Sequence, residues 1–172
     1  SLGIILNDIN RAYSGEKLEV EEYTSYDLAL DNRDALASDA YKNAENYYKS
    51  VFENAGGSIN FYPDKSGAAP TAEMYHRETS EFSVQDVKAF CKKHGITENV
   101  FFISAFGITL GKYNFRKDAV FTTIYHGRND SRLSDTVGML VKTLPVYCDF
   151  SGSTADCLNA VQQQLINSMN ND

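Results

Sequence analysis

The chain has 172 residues, 42% of them apolar and 23% charged, which is material for one ordinary globular domain with a real core. A formal charge of -7 and a pI near 4.9 speak against nucleic acid or an anionic membrane as partner, and no apolar run approaches membrane-spanning length. Cys91, Cys148 and Cys157 lack metal-ligand spacing, and an odd count suits reduced thiols in a cytoplasm.

The sequence opens at Ser1 inside a helical pattern, without an initiator Met or a signal-peptide pattern, and reads as a piece of something longer. Leu2, Ile5, Leu6, Ile9 and Tyr13 recur at helical spacing until Ser14-Gly15, which predicts a surface helix with one buried face. Glu21 to Ala29 is polar and aromatic without clean periodicity. Its tyrosines, Tyr23 and Tyr26, have packing as the plainer account. Asp27, Asp31 and Asp34 bunch in this polar stretch, but with no His or paired Cys among them no metal is assigned.

Ser38 to Ala55 has the cleanest helical stripe, from Ala40 and Tyr41 to Val51 and Phe52, with Asp34 or Ser38 as cap and Gly56-Gly57 as stop. Pro63 to Pro70 collects turn formers and small residues, which predicts a loop and a subdomain boundary. Ala72 to Phe82 alternates loosely, as an exposed strand does. Ser83 with Asp86 forms a capping-box pattern for a helix with Val84, Val87, Phe90 and Cys91 inward, closed by Gly95 and covered by Ile96.

Thr97 is positioned to cap the next helix, Asn99 to Tyr113, which is apolar on nearly every face and therefore expected to be buried on several sides. Gly107 and Gly111 would let a strand or helix approach it closely, the candidates being strands Ala119–His126 and Val137–Cys148. Ser153 to Asn170 is the last helix, with Leu158, Val161, Leu165 and Met169 on one side.

Between the two strands runs GRNDSRLSDTVGMLVKTLPV, from Gly127 to Val146. Gly138 interrupts an apolar run where another backbone or a ligand can come close. Pro145 cannot donate to a ladder, so pairing changes there or the strand is an edge.

Val137-Gly138-Met139-Leu140-Val141-Lys142-Thr143-Leu144-Pro145 resembles the (I/V)-G-x-F-V-N-T-L-P motif of nonribosomal peptide synthetase condensation domains, with Gly127-Arg128 a short loop upstream as in that family. Leu140 stands for the usual Phe and Lys142 for the usual Asn. Tyr23 and Tyr26 fall on the family's Y-x-D-(F/Y)-A motif, although Ser25 and Asp27 depart from it. The first helix, with Ala12-Tyr13-Ser14-Gly15 after it, fits the helix that follows the catalytic motif HHxxxDG.

The resemblance implies part of a chloramphenicol acetyltransferase-like α/β two-layer sandwich: residues 1–70 as the C-terminal part of the N-lobe and 71–172 as the N-terminal part of the C-lobe. It implies a parent acyltransferase that forms an amide between a carrier-bound acyl or peptidyl thioester and a carrier-bound aminoacyl acceptor. Both substrates arrive on phosphopantetheine arms of donor and acceptor peptidyl carrier proteins, beside an adenylation domain, and no cofactor binds directly. Substrate-tunnel positions implied by the motifs are Gly127, Arg128, Gly138, Lys142, Thr143, Tyr23 and Tyr26. No catalytic residue is expected in the chain, because HHxxxDG would lie just before Ser1 and none of His76, His94 and His126 stands in it. The piece alone is expected to be inactive. Alternatives are a freestanding acyltransferase of the same fold and a non-catalytic platform that holds carrier proteins.

Three residues of this region keep more than one reading. His126 ends a strand beside Gly127-Arg128 and has no chemistry as its plainer reading. Arg128 is open to steadying a carboxylate, positioning a carrier arm or bridging the lobes, with a structural ion pair as the plainer role. Lys142, in the Asn position, places a charge that would alter which acceptor is tolerated.

Overall fold

The computed structural model describes residues 2–57, 59–61, 74, 76, 78 and 81–171. In chain order the elements are α1 (Leu2–Tyr13), α2 (Ser25–Ala35), α3 (Asp39–Phe52), α4 (Val84–His94), α5 (Glu98–Tyr113), β1 (Asp118–Tyr125), a 3-10 turn (Ser131–Leu133), β2 (Lys142–Asp149) and α6 (Thr154–Asn170). The expected loop Pro63–Pro70 lies outside the described residues, as does most of the expected strand Ala72–Phe82. Of that strand, Met74, His76, Glu78, Glu81 and Phe82 are described and are in no strand. The chain divides into two compact units: Ser1–Ser50 with Ile124–Leu144 and Asn171–Asp172, and Val51–Thr123 with Pro145–Asn170.

The second unit holds the main apolar core. α4 starts where the sequence places it: Ser83 Oγ accepts from Asp86 N–H (3.2 Å), and the Asp86 carboxylate accepts from Ser83 N–H (2.7 Å). It ends at Gly95 in the left-handed region (φ 65°), with Ile96 N–H bonded back to Cys91 O. Val87 and Cys91 are buried and Phe90 is half-buried, whereas Val84 is exposed and does not face inward as expected. Val84 is the first helical residue, and its side chain lies outside the packed face.

Thr97 caps α5 by accepting from Val100 N–H (3.2 Å). α5 buries Val100, Ile103, Ser104, Gly107, Leu110 and Gly111, packing on α4 and α6 and meeting Phe121 of β1 and Cys148 of β2 at Gly107. It is not buried all round: Phe102 and Phe106 remain 57% and 46% exposed. The small residues decide which face goes in. A Cβ on Gly107 would sit 2.8 Å from Cys148 Cβ on β2, and one on Gly111 would sit 2.4 Å from Phe150 Cζ and 2.9 Å from Asp118 O. The strands reach the helix backbone through these two gaps, as the sequence spacing implies.

β1 and β2 form a two-stranded sheet. β2 begins at Lys142, so the expected strand start at Val137 is corrected: residues 137–141 are irregular, and Gly138 lies ahead of the ladder. Pro145 sits inside β2, which among the described residues pairs with β1 alone. α6 closes the core with Leu158, Val161 and Leu165, and its Gln164 accepts from Tyr147 N–H (3.1 Å). Arg116 bonds the Asp118 carboxylate (2.8 and 2.9 Å) and Gly56 O (2.9 Å), which ties the exit of α3 to the start of β1.

In the first unit, α1, α2 and α3 contain no buried residue. The apolar face expected to be buried on α1 is open, with Leu2 70%, Leu6 52% and Ile9 51% exposed. α2 was not expected, because its apolar periodicity is weak. Its start was nevertheless written in the sequence as Thr24-x-x-Asp27, and both halves of that capping box form. α3 follows its predicted stripe, with Ser38 Oγ accepting from Tyr41 N–H (3.2 Å).

Candidate functional site

All seven residues singled out from the sequence fall in the first unit, on two stretches: Tyr23 and Tyr26 before and within α2, and Gly127 to Thr143 between the strands. Gly127 is the hinge of the second stretch. Its φ is +66°, and a Cβ there would lie 1.9 Å from Leu140 O, so two constraints select glycine together. Gly138 is less demanding, with a would-be Cβ 3.2 Å from Ser25 Cβ.

Arg128 organises the loop between them. Its guanidinium donates to the carbonyls of Leu133, Ser134 (3.3 Å) and Thr136 (3.0 Å), closing residues 128–136 around a planar donor fork. These bonds make Arg128 a clamp on backbone oxygens. The Arg128 N–H donates to His126 Nδ1 (3.0 Å), and the exposed His126 ring lies against Tyr125 with centroids 4.8 Å apart. This arrangement gives His126 a turn-forming role.

The folded loop then attaches to the region around Tyr23. Thr136 is 1% exposed and donates its hydroxyl to Tyr23 O (2.6 Å), while Val137 N–H donates to Glu21 Oε1 (3.0 Å). Arg132 completes the junction. It bonds Asp130 Oδ2 (2.6 and 2.8 Å), reaches Asp31 Oδ2 (3.2 Å) and lies over the Tyr23 ring at 4.5 Å. Tyr23 in turn donates its hydroxyl to Asp31 (2.7 Å), which raises its phenol above the usual value, and the Arg132 hydrogen bonds hold the Asp130 carboxyl below its own.

The roles of Asp31, Asp130, Arg132 and Thr136 were missed in the sequence, because the pairings that join the two stretches, Arg132 with Asp31 and Thr136 with Tyr23, each span about a hundred residues. The acidic cluster is correspondingly accounted for: Asp27 caps α2, Asp31 holds Tyr23 and Arg132, and Asp34 pairs with Arg33 (2.9 Å). Among the described residues no group of His, Cys, Asp and Glu is arranged to hold a metal ion.

The remaining candidates face outward or lie at the rim. Tyr26 is 82% and Met139 87% exposed, Thr143 is exposed, and Lys142 and Gly138 are half-buried. The arrangement is a hydrogen-bonded loop that brings Gly138 beside Ser25 at the start of α2 and continues into β2 at Lys142 and Thr143. Such a surface can position a ligand.

A model of the condensation domain family matches residues 1–172. The chain is 28% identical over 169 residues to the nonribosomal peptide synthetase sidC of Arthroderma benhamiae, covering 97% of this chain and 3% of that protein. It is 26% identical over 149 residues to tyrocidine synthase 3 of Brevibacillus parabrevis, covering 84% of this chain and 2% of that one.

Among solved structures, the SgcC5 protein of Streptomyces globisporus superposes with a TM-score of 0.80 at 20% identity, over 99% of this chain and 41% of that one. The first condensation domain of the calcium-dependent antibiotic synthetase gives 0.69 at 15% identity, over 94% and 37%. The chain thus spans about two fifths of the solved structures it matches and a few percent of the curated synthetases. It has the chloramphenicol acetyltransferase-like α/β fold in part, and it belongs to the condensation domain family.

Proposed function

We propose that the chain is part of a condensation domain whose parent forms an amide between a carrier-bound acyl or peptidyl thioester and a carrier-bound aminoacyl acceptor. The family match along residues 1–172 carries this reading, supported by the loop from Gly127 to Pro145. In it, residues 1–70 come from the end of the N-lobe and 71–172 from the front of the C-lobe. The parent works in the cytoplasm with donor and acceptor carrier proteins and an adenylation domain. Among the described residues no helix is long and apolar enough to cross a membrane.

The chemistry asks little of a base in this chain. An α-amine of pKa ~8 is already about 10% neutral at pH 7, so positioning the amine and steadying the tetrahedral intermediate count for more than proton removal. Gly127 and Arg128 set the loop, Gly138 keeps the approach open, and Lys142 and Thr143 face the acceptor, with Tyr23 and Tyr26 along the same wall. The histidine that acts on the amine comes from an HHxxxDG motif outside these 172 residues, so this chain alone is inactive.

A second reading is favoured by one observation. SgcC5 was solved with a soluble aryl-ethanediol, a free hydroxyl compound. A soluble alcohol or amine would then replace the carrier-bound acceptor, giving an ester or amide. Mass spectrometry separates the two readings when the complete domain is given a loaded donor carrier with either a loaded acceptor carrier or a free aryl diol. Product on the acceptor carrier supports the synthetase; product on the diol alone overturns it in favour of the freestanding transferase.

A further inference from the structure

We propose that Cys148 and Cys157 form a redox modification site, a buried dithiol that closes to an intrachain disulfide when a small-molecule disulfide is the oxidant. The two sulfurs are 3.3 Å apart, Cys148 on β2 and Cys157 in the first turn of α6, and both residues lie in the second unit. A disulfide bond is about 2.04 Å long, so closure needs a movement of roughly 1.3 Å shared between two side chains.

The surroundings favour that pairing over any other. Cys148 is 0% and Cys157 2% exposed, so neither thiol exchanges freely with solvent. Gly107 leaves the space in which Cys148 is seated: a Cβ there would be 2.9 Å from its sulfur. The turn between the two cysteines is fixed by Ser151 N–H on Asp149 Oδ1 (2.8 Å) and by the mutual bonds of Ser153 and Asp156, so β2 and α6 hold their register. The hydrogen bond between the two sulfurs, and then burial, raises the Cys148 thiol above its usual value, and the same bond lowers Cys157.

The exchange balances in two steps. The Cys157 thiolate attacks one sulfur of oxidised glutathione, expelling a glutathione thiolate and leaving a mixed disulfide. The Cys148 thiol then gives up its proton and attacks the Cys157 sulfur, expelling the second glutathione thiolate. Two thiols lose two electrons and two protons, and one glutathione disulfide becomes two glutathiones. Because both sulfurs are buried, the first step proceeds from a locally opened state, whereas the equilibrium reflects their proximity in the native one.

The test equilibrates the full chain with glutathione redox buffers, natively and in guanidinium chloride, after near-ultraviolet dichroism has verified native packing. Samples are acid-quenched and analysed by intact mass and peptide mapping. The expected result is a loss of two hydrogens, free thiols falling from three to one, a mapped link between Cys148 and Cys157, and reversal by dithiothreitol. The oxidised-to-reduced ratio should be at least tenfold higher in the native chain than in the unfolded one (roughly what proximity gives). The Cys91→Ala variant should behave the same way. Equal ratios in the two states, a link through Cys91, or glutathione adducts without the internal link would overturn the proposal.

Discussion

Gly127 combines a left-handed backbone with a carbonyl 1.9 Å from where a Cβ would be. Gly127→Ala should therefore cost more than about 2 kcal/mol, the backbone penalty of ~1–2 kcal/mol adding to a clash with the immovable Leu140 O. Denaturant unfolding checks it, and a loss under 1 kcal/mol would show that the loop shifts freely. Phe115 presents the opposite case: φ is 56° and the side chain is 99% exposed, so Phe115→Gly should stabilise by about 1 kcal/mol.

Thr136 and Tyr23 offer a comparison within one junction. Thr136→Val leaves the Tyr23 carbonyl without its buried donor and should cost about 1–3 kcal/mol. Tyr23→Phe removes a more exposed bond to Asp31 and should cost less. If the order is reversed, the Tyr23–Asp31 bond governs the junction instead.

Asp118 supplies a pH dependence. Its hydrogen bonds from Arg116 lower its folded pKa below the ordinary 3.8. A depressed carboxylate contributes stability that is fully present above the unfolded pKa and lost as pH falls through the folded one. Wild type should accordingly lose stability from about pH 4 downward, and Asp118→Asn should lose less over that window while starting lower at pH 7. Parallel acid profiles for the two proteins would remove this pair from the account.

At the level of elements, the parts legible in the sequence were those specified locally. The α4 capping box, Gly95 with Ile96, the Thr97 cap and the Gly107–Gly111 gap are each written within a few residues, and each has its predicted structural consequence. α2 was not legible because its apolar residues lack helical periodicity and its one local signal is the Thr24–Asp27 capping box. The start of β2 was misplaced because Val137 to Val141 is apolar in composition, yet Val137 N–H bonds Glu21 and the stretch stays irregular up to Lys142. Ser83→Ala should cost about 1 kcal/mol through the lost cap. Amide exchange should be fastest in α1–α3, which bury no residue, and slowest in α5 and α6, which line the core. Uniform protection across all six helices would contradict the assignment of the core to one unit.

At the scale of the whole molecule, family membership was legible because the motif around Gly138 to Pro145 is read as a string. The Arg128 clamp and the Arg132–Asp31–Tyr23 junction were not, since they exist only after distant segments meet. The chain covers about two fifths of the solved structures it matches, and the proposed function assigns it part of the acceptor side. Within that role, Lys142→Asn in the complete domain should change the ratio of products from acidic and neutral acceptors. An unchanged ratio would remove Lys142 from acceptor choice.

The most direct measurement of the central claim is the intact mass of the acceptor carrier after incubation with a loaded donor carrier and the chain extended in both directions to a complete domain. The acceptor should gain the donor's acyl group with the extended protein and gain nothing with the 172-residue chain. Carriers that bind the extended protein but leave the acceptor mass unchanged would contradict it and identify a non-catalytic carrier platform.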